Sequence, residues 1–291
     1  MTRLRRTLLL VNPNARRGGE SLEPIIEQFG RGGLQITTET FDALPELARD
    51  IMRLRNSHDQ IVICGGDGSV SAAAFAVMES GLPMGILPMG TANDLARTLA
   101  IPTELDEAAD VIIRGKQRAI DVGSVNGHAF FNVASIGLSS ELAQKLDSGL
   151  KRRFGKLSYA VAAFKVLVSA SRFRARITES DHTRIVRTYQ IAIGNGVHYG
   201  GGNVIQESAA IDDGHLDLYS LEMKSLWKLA FMLPAFRSGR HGAYKEVRTA
   251  RGVEFKIETR REMPVNTDGE IVTSTPADFK VHPRAVSVFV P

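Results

Sequence analysis

The chain has 291 residues, of which 43% are hydrophobic and 23% are charged; this composition excludes disordered and fibrous proteins, and the length suits about two domains. Its single cysteine, Cys64, lies in an apolar run, which excludes a disulfide framework and favours a reducing compartment. The net charge is +4, but eleven Lys and Arg residues stand against three acidic ones between Lys145 and Arg187, so this segment predicts either an anionic partner or a solvated basic surface.

The basic residues at the N-terminus are followed by an apolar run of about five residues, shorter than the roughly 7 to 15 of a secretory signal. No stretch reaches the 18 or so uninterrupted apolar residues of a membrane span. We therefore expect a cytoplasmic protein that is soluble or attached to a membrane surface.

The first 120 residues alternate between strands and helices. The pattern predicts strands at Thr7 to Val11, Leu34 to Thr40, Gln60 to Cys64 and Met84 to Leu87. It predicts helices at Ser21 to Phe29, Leu44 to Arg55, Val70 to Ser80, Asn93 to Leu99 and Glu104 to Arg114. Strands separated by helices of about 10 to 15 residues indicate a parallel sheet covered on both faces, so residues 1–119 are expected to form a Rossmann-like α/β domain.

After residue 119 short alternating runs dominate. The predicted strands are Ala129 to Val133, Tyr189 to Gly194, His215 to Leu221, Val253 to Glu258 and Val286 to Val290. Asn-Gly, Asp-Gly and Gly-Gly pairs between such runs are typical of antiparallel turns. We expect residues 120–291 to form a β-sandwich domain with helical insertions at about 139–168 and 225–237.

The stretch Ile63-Cys-Gly-Gly-Asp-Gly-Ser-Val70 leaves a predicted strand and enters a predicted helix. Glycines let a ligand approach the main chain, and the free N–H groups of a helix start attract an anion, so the stretch suits a phosphate site. A tight turn capped by Asp67 or Ser69 is the alternative. The chain has neither the P-loop motif nor the dinucleotide fingerprint, so a phosphate site here would be of a third type.

Two further polar loops follow predicted strands, Asn12 to Gly19 and Leu87 to Asp94. Since the carboxyl ends of parallel strands lie at one edge of a sheet, the three loops together favour a shared ligand site. In the second half, Asp-Gly pairs occur within Ile211 to Asp217 and Asn266 to Glu270. They are common hairpin signals, or they supply the carboxylates that phosphoryl transfer and Mg²⁺ require.

Four motifs together resemble the bacterial lipid kinases of the diacylglycerol kinase catalytic-domain family. They are Gly65-Gly-Asp-Gly-Ser-Val70, Leu87-Pro-Met-Gly-Thr-Ala-Asn-Asp-Leu-Ala-Arg97, Asp213-Gly-His-Leu-Asp217 and Asp268-Gly-Glu270. The resemblance runs over essentially the whole chain, although Gly-Gly-Asp-Gly also occurs in sphingosine kinases, NAD kinases and, more loosely, phosphofructokinases. The resemblance implies that the first domain binds ATP, that the second supplies the acceptor site, and that catalysis takes place in the cleft between them.

The family's functional residues carry over position by position. The resemblance implies a catalytic base in the Asp-Gly-Glu motif, with Glu270 favoured over Asp268. It implies a Mg²⁺ site at Asp213 with main-chain oxygens of Ala210 and His215. The implied ATP-binding residues are Asn12, Pro13, Asn14, Thr37, Gly65, Gly66, Asp67, Gly68, Ser69, Val70, Ser71, Thr91 and Asn93. Ser69 replaces the usual threonine, and Glu207 stands where a proline is common before the Asp-Asp-Gly stretch.

The expected partner is a lipid substrate at an anionic membrane surface, reached through the basic residues Lys151 to Lys156 and the apolar run Tyr159 to Ala170. A core-packed helix with a solvated basic start is the alternative for this segment. A homodimer is compatible with the sequence, and no pattern indicates nucleic-acid binding.

Two other functions remain open at this level. An NAD kinase or another small-molecule kinase would act on a soluble acceptor without lipid. A nucleotide-sensing regulator at a membrane surface would have lost turnover, but Asp268-Gly-Glu270 is intact.

Overall fold

The structure is a computed structural model that describes residues 4–138, 140, 171–195, 198–199, 203–204, 210–223 and 247–291. The five α-helices in this part are α1 (Glu23–Arg31), α2 (Leu44–Leu54), α3 (Asp67–Ser80), α4 (Asp94–Thr98) and α5 (Leu105–Arg114). The strands of the first 140 residues are β1 (Arg5–Val11), β2 (Leu34–Thr40), β3 (Gln60–Gly65), β4 (Met84–Pro88), β5 (Gln117–Val125), β6 (His128–Phe130) and β7 (Val133–Gly137). Those that follow are β8 (Phe173–Glu179), β9 (His182–Thr188), β10 (Gln190–Gly194), β11 (His198–Tyr199), β12 (Asn203–Val204), β13 (Leu216–Leu221), β14 (Val247–Gly252), β15 (Glu254–Thr259), β16 (Pro264–Thr267), β17 (Glu270–Ser274) and β18 (Ala277–Phe289). The predicted helical insertions and the basic segment Lys151 to Lys156 lie outside the described residues.

The described chain divides into two compact units, the first formed by Met1–Val122 with His282–Pro291 and the second by Gly123–Tyr199 with Asn203–Val281. The sequence-based boundary at residue 119 assigned every later residue to the second domain. The C-terminal part of β18 nevertheless belongs to the first unit.

The first unit is a parallel α/β unit. Its strands lie in the order β2-β1-β3-β4, and Val288 of β18 pairs in parallel with Met84 of β4. The central strands β3 and β4 are buried along their whole length and, apart from Gln60 at the start of β3, carry no polar side chain, as is typical of a parallel sheet covered on both faces. Cys64 is fully buried here, and burial raises the pKa of its thiol, so the thiol stays protonated and inert.

The second unit is a β-sandwich. One layer has six antiparallel strands in the order β14-β13-β10-β7-β16-β17, and the other contains the start of β18 with β15, β8 and β9. Apolar side chains of both layers form one buried core; they include Ile136, Ile193, Leu218 and Val265 from the first layer and Ile177, Val186, Phe255 and Phe279 from the second. The structure thus confirms the predicted fold class, a parallel α/β unit and an antiparallel sandwich.

Three predicted elements differ locally. The strand expected at Ala129 to Val133 is broken at Phe131 and Asn132 into β6 and β7. The helix expected from Val70 begins at Asp67. The run Val286 to Val290, expected in an antiparallel sheet, extends β18 into the parallel sheet of the first unit. Among the described helices, none combines the length and hydropathy needed to cross a membrane.

Candidate active site

The glycine-rich stretch forms the junction between β3 and α3. Strand β3 ends at Gly65 and α3 begins at Asp67, so Gly66 alone connects them. The 14-residue helix therefore directs its first-turn amides, including those of Asp67 and Gly68, toward the edge where β3 ends. Such an edge, bearing the positive end of a helix dipole, is suited to binding an anion.

The loops after β1 and β3 are joined by side chains. Asn12 donates from Nδ2 to Ser69 Oγ at 2.8 Å, and its Oδ1 accepts from the main-chain N–H of Asn14 at 2.9 Å. Ser69 is buried, so this hydrogen bond holds the loop after β1 against the first turn of α3. Asn12 and Ser69 thus have a demonstrable role in shaping the edge.

The loop after β4 is attached to both of the others. The N–H of Arg17 donates to the carbonyl of Met89 at 3.2 Å, and the N–H of Leu95 donates to Asp67 Oδ1 at 3.3 Å. Within the loop, Gly90 N–H donates to Asn93 Oδ1 at 2.9 Å. The three loops that the sequence singled out therefore form one hydrogen-bonded assembly, and Asp67 orients it.

Glycine is required here by contact between the loops. A Cβ on Gly66 would lie 3.0 Å from Gly90 Cα, and one on Gly90 would lie 2.6 Å from Gly66 Cα. A Cβ on Gly65 would lie 2.6 Å from Ser69 Oγ. Packing is thus a second reason for the glycines that suggested phosphate binding, because the main chains of Gly66 and Gly90 are in contact where β3 and β4 end.

The other predicted nucleotide-binding residues, except Thr37, lie on the same elements. Pro13 is exposed in the loop after β1, Gly68, Val70 and Ser71 are in the first part of α3, and Thr91 is exposed after β4. Thr37 is exposed on β2 opposite Leu8, three residues before that strand ends. Thr37 therefore lies within a strand, whereas the others lie on the loops or on α3.

In the second unit, Asp268 and Gly269 form the turn between β16 and β17. Both have positive φ, 48° and 103°, as a two-residue hairpin turn of the primed type requires. The N–H of Gly269 donates to Asn266 Oδ1 at 3.1 Å. The hairpin interpretation of this Asp-Gly pair is therefore confirmed, and a role in catalysis would be additional to this structural role.

The two carboxylates of the motif have different surroundings. Asp268 accepts three main-chain N–H groups, from Phe131 at 2.9 Å, Asn132 at 3.1 Å and Val133 at 3.0 Å. Phe131 and Asn132 are the residues at which the predicted strand breaks. Glu270 is exposed at the start of β17. The Asp268 carboxylate is thus engaged in holding main chain, whereas the Glu270 carboxylate is accessible to a ligand.

Buried amide side chains surround this turn and were missed by the sequence-based reasoning. Asn195 donates from Nδ2 to the carbonyl of Phe131 at 2.9 Å, and its N–H donates to the carbonyl of Asn132 at 2.8 Å. Asn132 and Asn266 are 3% and 6% exposed, and in the described part of the chain Asn132 Oδ1 and Asn266 Nδ2 have no hydrogen-bond partner. In the sequence, only the position of Asn266, two residues before the Asp-Gly pair, pointed to an amide side chain beside this turn.

The predicted metal site is a carboxylate turn with an arginine. Asp213 accepts main-chain N–H groups of Ala210 at 3.3 Å and His215 at 3.0 Å, and its Oδ2 is paired with the guanidinium of Arg251. Arg251 Nε also lies 3.8 Å from Oδ1 of buried Asp217. Burial raises the pKa of Asp217, while Arg251 partly offsets that rise. The described residues contain no group of three or more His, Cys, Asp and Glu side chains suited to a metal ion.

A carboxylate with main-chain carbonyls is nevertheless the donor chemistry that Mg²⁺ prefers. Asp213 and the main-chain oxygens of Ala210 and His215 therefore fit a hard cation by ligand type. In the present arrangement Arg251 supplies the positive charge beside Asp213.

Two family models match the chain. The diacylglycerol kinase catalytic domain matches residues 6–125, and the YegS C-terminal NAD kinase beta sandwich-like domain matches residues 132–290. The second match alone covers more than half of the chain, and each match corresponds to one of the two kinds of architecture described above.

Similar proteins span nearly the same length. A probable YegS-like lipid kinase of Pectobacterium atrosepticum is 32% identical over 294 residues, covering 98% of this chain and 96% of the relative. A diacylglycerol kinase of Bacillus subtilis is 27% identical, covering 99% of this chain and 97% of the relative. The crystal structure of a diacylglycerol kinase from Bacillus anthracis is similar in fold, with a TM-score of 0.82 at 23% identity, covering 100% of this chain and 99% of that chain.

Proposed function

Because the chain belongs to the bacterial lipid kinases that carry a diacylglycerol kinase catalytic domain, we propose that it transfers the γ-phosphoryl group of ATP to a hydroxyl of diacylglycerol or a related lipid. The observation that carries the proposal is the hydrogen-bonded assembly of three loops at the carboxyl ends of β1, β3 and β4. An assembly of main-chain amides at a helix start suits the phosphates of a nucleotide.

The first unit would hold the phosphoryl donor, taken as Mg²⁺-ATP. The first-turn amides of α3 would bind phosphate oxygens, and Asn12 and Asp67 would keep the loops in the arrangement that these amides need. Catalysis of phosphoryl transfer is mostly positioning and offset of charge. Fixed main-chain donors provide both without rearranging during the reaction.

In the second unit, Glu270 would act as the general base. The lipid hydroxyl oxygen forms a bond to the γ-phosphorus while its proton passes to the Glu270 carboxylate. The bond between the γ-phosphorus and the bridging oxygen breaks, and ADP leaves with that oxygen. Asp268 would act as a positioning residue, because its carboxylate accepts three N–H groups of residues 131–133.

A Mg²⁺ ion in the second unit would be held by Asp213 with the main-chain oxygens of Ala210 and His215, where it would supply positive charge and tie the turn together. Binding there would compete with Arg251 for the Asp213 carboxylate.

Incubation with γ-labelled ATP and a total lipid extract would test the proposal. The expected product is a phosphorylated lipid in the organic phase, identified by mass spectrometry, and its headgroup would name the acceptor. Label found only in soluble metabolites would contradict a lipid acceptor and would favour a small-molecule kinase such as an NAD kinase.

A further inference from the structure

The outer face of β15, β8 and β9 in the second unit carries a group of arginines, here called the arginine face: Arg174, Arg176, Arg187 and Arg260. Together with Ile185, Glu258 and Thr259, three of these four residues line an open recess of about 270 Å³. Ile185 is 54% exposed in the middle of this group, although it is a large apolar side chain. The recess therefore places an accessible apolar side chain among cations.

The register of the strands places two of these cations directly opposite each other. Arg174 of β8 pairs with Arg187 of β9, and both side chains are exposed. Directly opposite residues of an antiparallel pair have their Cβ atoms about 4.5 to 5.5 Å apart, where like charges destabilise the sheet. Within the described part of the chain neither arginine forms an ion pair with a carboxylate.

Elsewhere on the same face, charged residues that lie opposite each other on neighbouring strands have opposite signs. Lys256 pairs with Asp278 and Glu254 pairs with Lys280 across β15 and β18. Arg176 lies opposite Glu258, and the two form an ion pair at 3.5 Å. Charges on this face are therefore balanced across β15 and β18, whereas Arg174 and Arg187 lie opposite each other without a carboxylate partner among the described residues. A local departure from a rule that its neighbours obey is typical of a functional surface.

We propose that the arginine face docks the enzyme on an anionic lipid bilayer. Guanidinium groups bind phosphate oxygens in pairs of hydrogen bonds, and lipid phosphates would offset the repulsion between Arg174 and Arg187. Ile185 would enter the interface between headgroups and acyl chains. The outer positions of these strands hold no aromatic side chain, so base stacking with a nucleic acid has no platform there. The proposal rests on the proposed function, since a lipid acceptor has to be reached in its membrane.

The direct test is sedimentation of the full chain with vesicles of phosphatidylglycerol and phosphatidylcholine, and with vesicles of phosphatidylcholine alone. Wild type is expected to bind only the anionic vesicles. Each cation near such a surface contributes roughly five-fold to binding, so R174Q/R187Q should bind about 25-fold more weakly. The matched control K256Q/K280Q removes two cations of the same face that have acidic partners, and it should bind within about two-fold of wild type.

Thermal stability gives a second readout. A surface without a docking role would not lose vesicle binding while its melting temperature rises. Arg187→Glu turns the like-charge pair into an opposite-charge pair, so the melting temperature should rise by about 1 to 4 °C while vesicle binding falls. Equal loss of binding in R174Q/R187Q and K256Q/K280Q would overturn the proposal, because binding would then follow net charge only. Unchanged vesicle binding by R174Q/R187Q would also overturn it, as would binding of an oligonucleotide through these arginines without binding to vesicles.

Phosphorylation of a short-chain diacylglycerol dispersed in neutral detergent separates docking from catalysis. R174Q/R187Q is expected to retain wild-type activity on this acceptor, because no bilayer has to be reached. If wild type phosphorylates no lipid but its vesicle binding depends on Arg174 and Arg187, the proposed function fails and the docking surface stands. A loss of activity in R174Q/R187Q on the dispersed acceptor would place these arginines at the acceptor site and would overturn docking as their role.

Discussion

Two neighbouring carboxylates, Asp268 and Glu270, differ in what their surroundings leave them free to do. Asp268 accepts three main-chain N–H groups and has a positive φ, whereas Glu270 is exposed on the next strand. Hydrogen bonds to a charged group contribute about 1.5 to 3 kcal/mol each. Asp268 thus contributes to stability, and Glu270 is the better candidate for proton transfer.

Glu270→Gln and Asp268→Asn should therefore change different properties: the first should lower turnover, and the second should lower stability. E270Q is expected to lower turnover by about 10² to 10⁴-fold, as loss of a general base does, with stability within about 0.5 kcal/mol of wild type. D268N places an amide donor against main-chain N–H groups, so it should destabilise by about 2 to 4 kcal/mol. Steady-state kinetics and urea denaturation of both variants measure this, and a stable but inactive D268N would reverse the assignment.

Asp217 predicts a pH dependence. Burial raises the pKa of this carboxyl above its value in the unfolded chain, so the folded state binds the proton more tightly. Its contribution to stability is present at low pH and is lost as the pH rises through the folded pKa. Asp217→Asn removes this loss, so its stability relative to wild type should increase as the pH rises above about 4, the ordinary pKa of an aspartate carboxyl. Urea denaturation across this range would show it; a difference that does not vary with pH would contradict it.

At the scale of elements, the sequence identified the three loops that meet at one edge of the sheet but not the reason for their glycines. The glycines were read as space for a phosphate, whereas Gly66 and Gly90 also contact each other across two loops. Their separation in sequence hides this contact. The sequence pattern also does not predict the start of α3 at Asp67, because Gly-Asp-Gly has poor intrinsic helix propensity.

Gly66→Ala tests the contact between loops. The φ of Gly66 is −95°, so alanine adopts its backbone without strain, and the only cost is the 3.0 Å approach to Gly90 Cα. We expect destabilisation of about 1 to 3 kcal/mol and at least ten-fold weaker ATP binding by calorimetry. Gly19→Ala is the matched control, because a Cβ there meets nothing within 4 Å. Equal ATP affinity in both variants would contradict a role for this contact.

At the scale of the whole molecule, periodicity predicted both kinds of architecture, because a buried parallel sheet and a half-exposed sandwich have different apolar patterns. It did not predict that β18 starts in the sandwich and ends in the parallel sheet. The local sequence of a long strand does not indicate which strands it pairs with, and Val288 pairs with Met84, which lies far from it in sequence. The break at Asn132 was hidden for the same reason, since the carboxylate that accepts its N–H lies 136 residues later.

The central claim is that this chain phosphorylates a lipid hydroxyl with ATP through Glu270. The most direct test compares wild type with E270Q in the transfer of γ-labelled phosphate from ATP to dispersed diacylglycerol, with ATP affinity measured in parallel. The expected result is labelled phospholipid from wild type, at least 100-fold less from E270Q, and equal ATP affinity. Transfer by E270Q at the wild-type rate, or the absence of labelled lipid from a wild type that binds ATP, would contradict the claim.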